Sequence, residues 1–271
     1  MEEKTWGCLK QTAIGCVVLI VLAIGFPIVL GLMMLGPFNR AVDARHTMED
    51  QFGPQEAYVP PASGAPAADR IEIFLEVRRA LAGPCADLTN VEEQFQRMES
   101  YDHEDAVNRM ALMKDAFSMT KGMMGLGPVL GHLYEIRNRN LLDAGMGLGE
   151  FTYIFAVAYR DRLTNLPESD QLFGPSPTNQ RIREALLSML ESQLDVARSE
   201  GGVEDGVTDL EAEIEAMKAD TRRIPWQDGC PPSISEALAP YRVELDELYC
   251  PAIAPLELMI NKRHGPAVES F

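Results

Sequence analysis

The sequence predicts an all-α protein: one N-terminal transmembrane helix, a Pro-rich linker, then a multi-helix soluble domain of six to seven helices with an acidic helical hairpin. Three observations predict it. No charged residue stands between Lys10 and Arg40. Residues that cap helices recur with an acid three positions on, as Asp69…Glu72, Thr89…Glu92, Thr208…Glu211 and Ser233…Glu236. Strand signatures are nearly absent, and apolar residues recur at helical spacing.

As a helix, positions 13–35 span about 34 Å at 1.5 Å per residue. That is enough for a hydrocarbon core of roughly 30 Å, where only a helix satisfies its own backbone. Pro27 kinks the span, and Gly25 and Gly31 loosen the turns beside it. A cleaved signal peptide is the rival reading, but its apolar core runs only about 7–15 residues. Lys4 and Lys10 flank one side, Arg40 and Arg45 the other, so the positive-inside rule is nearly balanced. A short N-terminus before a large acidic domain favours N-terminus inside and body outside. The expected division is a cytoplasmic 1–12, a span 13–36, a juxtamembrane and linker segment 37–68, a helical domain 69–264 and a tail 265–271.

Within the linker, 40–52 suits a short helix. The following 53–66 holds four Pro and two Gly, which forbid one. It reads as a semi-extended spacer rising about 3.1 Å per residue, setting the domain off the bilayer.

The first helix of the domain covers about 70–81 and stops at Gly83-Pro84. A long second helix runs from about 90 to 122. The third follows Pro128 and reaches about 143. The fourth covers about 148–163, with Phe151, Phe155 and Tyr159 on one stripe. A Pro-rich loop over 166–177 precedes the fifth helix, about 179–198, and the sixth, about 209–222. Their stripes, Ile182, Leu186, Met189, Leu190 and Leu194 against Val207, Leu210, Ile214 and Met217, form the antiparallel hairpin. The last helix starts near Ile234 and bends at Pro240, Pro251 and Pro255.

Composition excludes several classes. Lys and Arg number 24 against 41 Asp and Glu, a net charge of −17, which argues against nucleic acid as a partner. A hydrophobic share of 46% excludes a fully disordered chain, and 24% charged residues exclude a polytopic membrane protein. Glycines at 122, 125, 127, 131, 145, 147 and 149 lack the strand and Gly-Lys-Ser/Thr ending of a phosphate loop. No Cys-x-x-Cys or Gly-x-Ser-x-Gly occurs.

Candidate chemistry is sparse. His132 with Glu135, and Glu99 with His103, share helix faces, but Glu-x-x-His of a di-metal bundle is absent. Met110, Met113, Met119, Met123 and Met124 read as flexible packing ahead of a Cu(I) site. Glu150 reads as a first-turn acid favoured by the helix dipole. If buried it needs a cation, for which Arg137 and Arg139 on the preceding helix are the natural candidates. Of Cys85, Cys230 and Cys250, the pair Cys85–Cys250 is favoured for a disulfide because each follows a helix end; three buried thiols is the alternative. No catalytic residue, cofactor or metal is assigned.

The expected function is a non-catalytic, single-pass membrane-anchored accessory subunit, its body periplasmic or otherwise extracytoplasmic. Its partners are the lipid bilayer, subunits of a larger membrane complex and, through acidic surface, cationic soluble proteins. The alternative is a tethered helical enzyme or ligand-binding protein with a pocket near His132, Glu135 and Glu150.

Overall fold

A computed structural model of the chain describes residues 36, 39–99, 129–164, 177–201 and 204–254. Among these residues all regular structure is helical, with no strand. The expected span 13–36 lies outside the described residues except for Gly36, as do His103, the methionines of 110–124, His264 and the tail. Among the described residues no single helix is long and apolar enough to cross a membrane.

In chain order the elements are α1 (39–52), a 3₁₀ turn Gln55–Ala57, α2 Ala68–Ala80, α3 Ala82–Glu99 and α4 Val129–Asp143. They continue with α5 Leu148–Ala158, α6 Arg160–Thr164, α7 Pro177–Ser199 and α8 Glu204–Ala219. The C-terminal part holds α9 Pro232–Leu238, a 3₁₀ turn Ala239–Tyr241 and α10 Arg242–Glu247.

Every residue of α5 except Glu150 is buried. Its sequence is apolar all round, so it must be covered on every side. The stripe Phe151, Phe155 and Tyr159 stacks along it, with ring centroids 6.3 and 4.9 Å apart. Phe74 of α2 meets Phe151 at 5.1 Å. A fully buried side chain of this size contributes about 1.5–3 kcal/mol. The pair α4 and α5 matches a membrane span only jointly and is bent by 106°; burial inside the body accounts for the apolar character of α5.

The segment 53–66 departs from the expected spacer. It lies as a strap on α5 and α7. Gln55 is buried and donates from Nε2 to Thr152 Oγ1 at 2.6 Å. The Tyr153 hydroxyl donates to the Gly64 carbonyl at 2.7 Å, and the Tyr58 ring sits 5.9 Å from that of Tyr153. Prolines forbid a helix here but not packing, and an extended backbone follows a helical surface closely. Two glycines permit the approach. A Cβ on Gly149 would fall 2.6 Å from Tyr58 Cβ and closer still to the Gln55 carbonyl. Gly64 has φ +71° and no room beside Gln193, Ile234 and Tyr153.

The body therefore begins at α1, not at residue 69. Met48 and Ala41 are buried. Asn138 of α4 donates to the Ala41 carbonyl at 2.9 Å, and Arg40 pairs with Glu135 at 3.1 Å.

The four sequence caps do not work as caps. α2 starts at Ala68 with Asp69 already in its first turn and no side-chain cap. α3 follows one residue after α2, so Thr89 is interior and its hydroxyl donates back to the Cys85 carbonyl at 3.0 Å. Pro84 sits in the first turn of α3, where its missing N–H costs little. α8 begins at Glu204 and encloses Thr208. α9 opens on Pro232, and Ser233 donates instead to the Ser63 carbonyl at 2.8 Å, tying the C-terminal part to the strap. The expected 148–163 helix breaks at Tyr159.

The hairpin of α7 and α8 is antiparallel. Arg198 pairs with Glu211 at 2.8 Å and Lys218 with Glu191 at 3.1 Å. Ile182, Leu186, Met189, Leu190 and Leu194 are buried against Leu210, Ile214 and Met217. Within α8, the buried Glu213 accepts from Arg223 at 2.8 Å and from the Trp226 N–H at 2.8 Å. Those bonds hold Trp226 at φ +60°, a region costly for a bulky residue.

Two glycine substitutions test the strap. Gly149→Ala should lower unfolding stability by about 1–3 kcal/mol, because the new methyl displaces the strap backbone. Gly83→Ala in α3 meets open space and should raise stability by up to about 1 kcal/mol. Urea unfolding monitored by circular dichroism reads both. Equal effects at the two sites would show that the strap does not lie on α5.

Candidate functional site

Three clusters of polar side chains are built by this packing. The first is where α2, α5 and the strap meet. Arg70 donates from Nε to Glu150 Oε1 at 2.6 Å and from Nη2 to Oε2 at 2.5 Å. Its Nη2 also donates to the Gly145 carbonyl at 3.1 Å. The bidentate bond to Glu150 holds the Arg70 guanidinium above its ordinary pKa. Burial, and then the Glu150 charge, push the nearby Tyr58 hydroxyl well up. The cation for Glu150 thus comes from α2, not from Arg137 or Arg139. Arg137 is buried, bonds Asn138 at 3.1 Å and lies over the Tyr134 ring at 5.0 Å. Arg139 reaches Glu135 at 3.6 Å.

His132, Glu135 and Glu150 line neither of the two cavities described among these residues. His132 is exposed. Glu135 is held by Arg40 and Arg139, and Glu150 by Arg70. A carboxylate locked in a bidentate ion pair serves as a structural anchor. Among the described residues no group of three or more His, Cys, Asp or Glu is placed to hold a metal ion.

The second cluster is a knot between α2, α3 and the C-terminal turn. Cys85 and Cys250 are joined by a disulfide, with Cα atoms 6.2 Å apart and a sequence separation of 165. Beside it, the buried Arg78 donates to the Leu248 carbonyl at 2.5 Å. Its guanidinium lies over the Phe155 ring at 5.4 Å and the Tyr159 ring at 5.3 Å. Ring faces and a carbonyl together replace the water this cation has lost. Arg79 pairs with Glu244 on the outer side, Nε to Oε1 at 2.6 Å.

The third cluster lines a cavity of about 350 Å³ between the α5–α6 break and the turn joining α9 to α10. Its polar wall is Arg160, Asp161, Arg242, Cys230 and Ser235; Val157 and Leu238 form the apolar wall. Arg160 donates from Nε and Nη2 to Asp161 Oδ1 at 3.0 and 2.6 Å. Arg242 donates to Asp161 Oδ2 at 3.3 Å and to the Ala158 carbonyl at 3.4 Å. Cys230 is the free thiol of the described body. Burial pushes its pKa up, and the Arg160 charge opposes that. The thiol is therefore protonated at neutral pH and is not a primed nucleophile.

Nothing in the sequence announces this third cluster. Arg160 and Arg162 read as residues that complement a helix dipole, and Cys230 as a cysteine left over. The break at Tyr159, which turns Arg160 toward Asp161 and the C-terminal turn, carries no Gly or Pro to announce it.

Two outcomes follow. Cys85→Ser with Cys250→Ser should cost about 2–5 kcal/mol of stability, read from chemical unfolding; no loss would remove the disulfide from the account. Alkylation of Cys230 should set in at higher pH than that of a free cysteine. Arg160→Met should move that onset further up, because a cation that favours the thiolate is gone; an onset shifted down would contradict the assignment. Comparison with protein-family models, with curated proteins and with solved structures finds no match for this chain.

Proposed function

We propose that this protein is a single-pass membrane-anchored accessory subunit whose helical body lies outside the cytoplasm and works by contact, stabilising a larger membrane assembly. The observation that carries the reading is the disulfide Cys85–Cys250. Such bonds persist in oxidising compartments and are rare in the cytosol. The uncharged run between Lys10 and Arg40 supplies the anchor. Its Gly25 and Gly31 offer small residues for close packing against other membrane helices.

With 53–66 folded onto the body, little chain remains between the anchor and α1. This supports a body held near the bilayer surface and not on a stalk. The hairpin presents Glu184, Asp195 and Asp209 to solvent, with Glu191 and Glu215 paired to Lys218, an acidic surface that supports a cationic partner. The acids singled out in the sequence, Glu135 and Glu150, are engaged by arginines, which favours a structural role for them.

Two measurements test this. Intact cells are quenched with acid, free thiols are alkylated, and the protein is peptide-mapped. Cys85 and Cys250 should be recovered linked; recovery of both alkylated would place the body in a reducing compartment. In mild detergent the protein should co-purify in fixed stoichiometry with other membrane subunits, and its deletion should weaken that assembly. A lone monomer, with every membrane complex intact after deletion, would sink the accessory role.

A further inference from the structure

The face that α1 and α4 share is laid out to meet a lipid surface. Residues 37–39 alone separate the expected span 13–36 from Arg40, the charge that closes the uncharged run. Three extended residues reach about 10 Å, so with that span in the bilayer the start of α1 lies at its surface. Helix α4 runs the same way as α1. Arg40 and Ala41 meet Glu135 and Asn138, and Phe52, at the end of α1, meets Gly147 beyond the end of α4. The first six residues of α4 therefore reach about 9 Å past the level of Arg40, on the side where the anchor enters.

That side carries the groups a phospholipid meets. Arg40 and Arg139 both pair with Oε1 of Glu135, at 3.1 and 3.6 Å. Two guanidinium groups on one carboxylate leave one positive charge. Their side chains stay 61% and 65% exposed, and each guanidinium has five N–H donors in a planar fork that matches phosphate oxygens. Side chains on a helix lean toward its N-terminus, so both arginines reach toward the bilayer. His132 stands exposed on the same face of α4, one turn nearer the bilayer than Glu135. The exposed acids Asp43 and Asp143 sit one turn farther from it than Arg40 and Arg139. Apolar surface accompanies the charge. Val42 is 46% exposed at the start of α1, and Val129 and Leu130 are half-buried at the start of α4.

We propose that this face docks on the bilayer, with the Arg40 and Arg139 guanidinium groups on phosphodiester groups of the lipids around the anchor. Val42, Val129 and Leu130 then lie toward the acyl boundary. The inference rests on the membrane anchor and adds to it which side of the body meets the lipid.

The test uses the full-length chain in dodecyl maltoside micelles, in nanodiscs of phosphatidylglycerol, and in nanodiscs of digalactosyldiacylglycerol, a bilayer lipid without phosphate. Phenylglyoxal modifies exposed arginines, and peptide mapping gives the rate at each. Arg40 and Arg139 should react about fivefold more slowly in phosphatidylglycerol than in micelles. Arg198 of the hairpin, 54% exposed, should keep its rate. Arg139 decides the matter, since Arg40 adjoins the anchor whichever way the body faces. Slowing at Arg40 alone, or equal slowing at Arg198, would overturn the docked face. Arg139 slowed as much by the glycolipid discs, or by inorganic phosphate added to the micelles, would overturn the lipid-phosphate assignment. Alkaline carbonate extraction of cell membranes tests the anchor separately. A chain that carbonate releases has no anchor, and the docked face falls with it. A chain that stays embedded, with Arg139 reacting at its micelle rate, overturns the docked face alone.

Discussion

An apolar helix that must be covered on every side governs this structure. The α5 segment Leu148–Ala158 has a single charged side chain, Glu150, and that one leans out to Arg70. Water cannot be left against any face of such a helix without losing the burial that orders it. Helix α2, the strap and the C-terminal turn are its cover, and α7 lies against the strap in turn. Each part of the cover reaches α5 or the Tyr159 that follows it: Phe74 on Phe151, Gln55 on Thr152, the Gly64 carbonyl on the Tyr153 hydroxyl, Tyr249 on Tyr159.

The polar groups of the interior follow from that cover. Closing a strap over a helix buries backbone carbonyls and side-chain amides, and leaving them unpaired is costly. The Tyr153 hydroxyl and the Gln55 amide serve that need. Arg78 does so at the other end, joining Phe155, Tyr159 and the Leu248 carbonyl. The disulfide then ties the start of α3 to the C-terminal turn across 165 residues. It acts chiefly by restricting the unfolded chain, so the two ends of the cover stay near each other even when the core loosens.

Much of the helical content was legible because it rests on local rules. The stripe at 151, 155 and 159 and the two stripes of the hairpin are buried as their spacing implies, save the half-buried Val207. The helix starts were not legible. Ser and Thr have several ways to bond nearby backbone, and Thr89 and Ser233 took others than capping. The strap was misread for a related reason. Pro content reports that a segment cannot be helical, not whether it packs. The signals that it does pack are Gln55 and Tyr58, together with Gly149 almost a hundred residues away, and only the fold brings these into contact. The cavity beside Cys230 is illegible for the same cause: its two arginines are 82 positions apart and gain meaning from one shared carboxylate, Asp161.

Native-state hydrogen exchange on the full-length chain tests the central claim, that strap and α5 form one unit. The Ala57 and Gly64 amides are hydrogen-bonded within the strap, to the Pro54 and Pro61 carbonyls. If the strap is part of the cover, peptides spanning 53–66 and 148–158 should exchange these and the α5 amides with the same dependence on denaturant, opening together. A strap peptide that exchanges at the rate of a free chain, while α5 stays protected, would contradict the account.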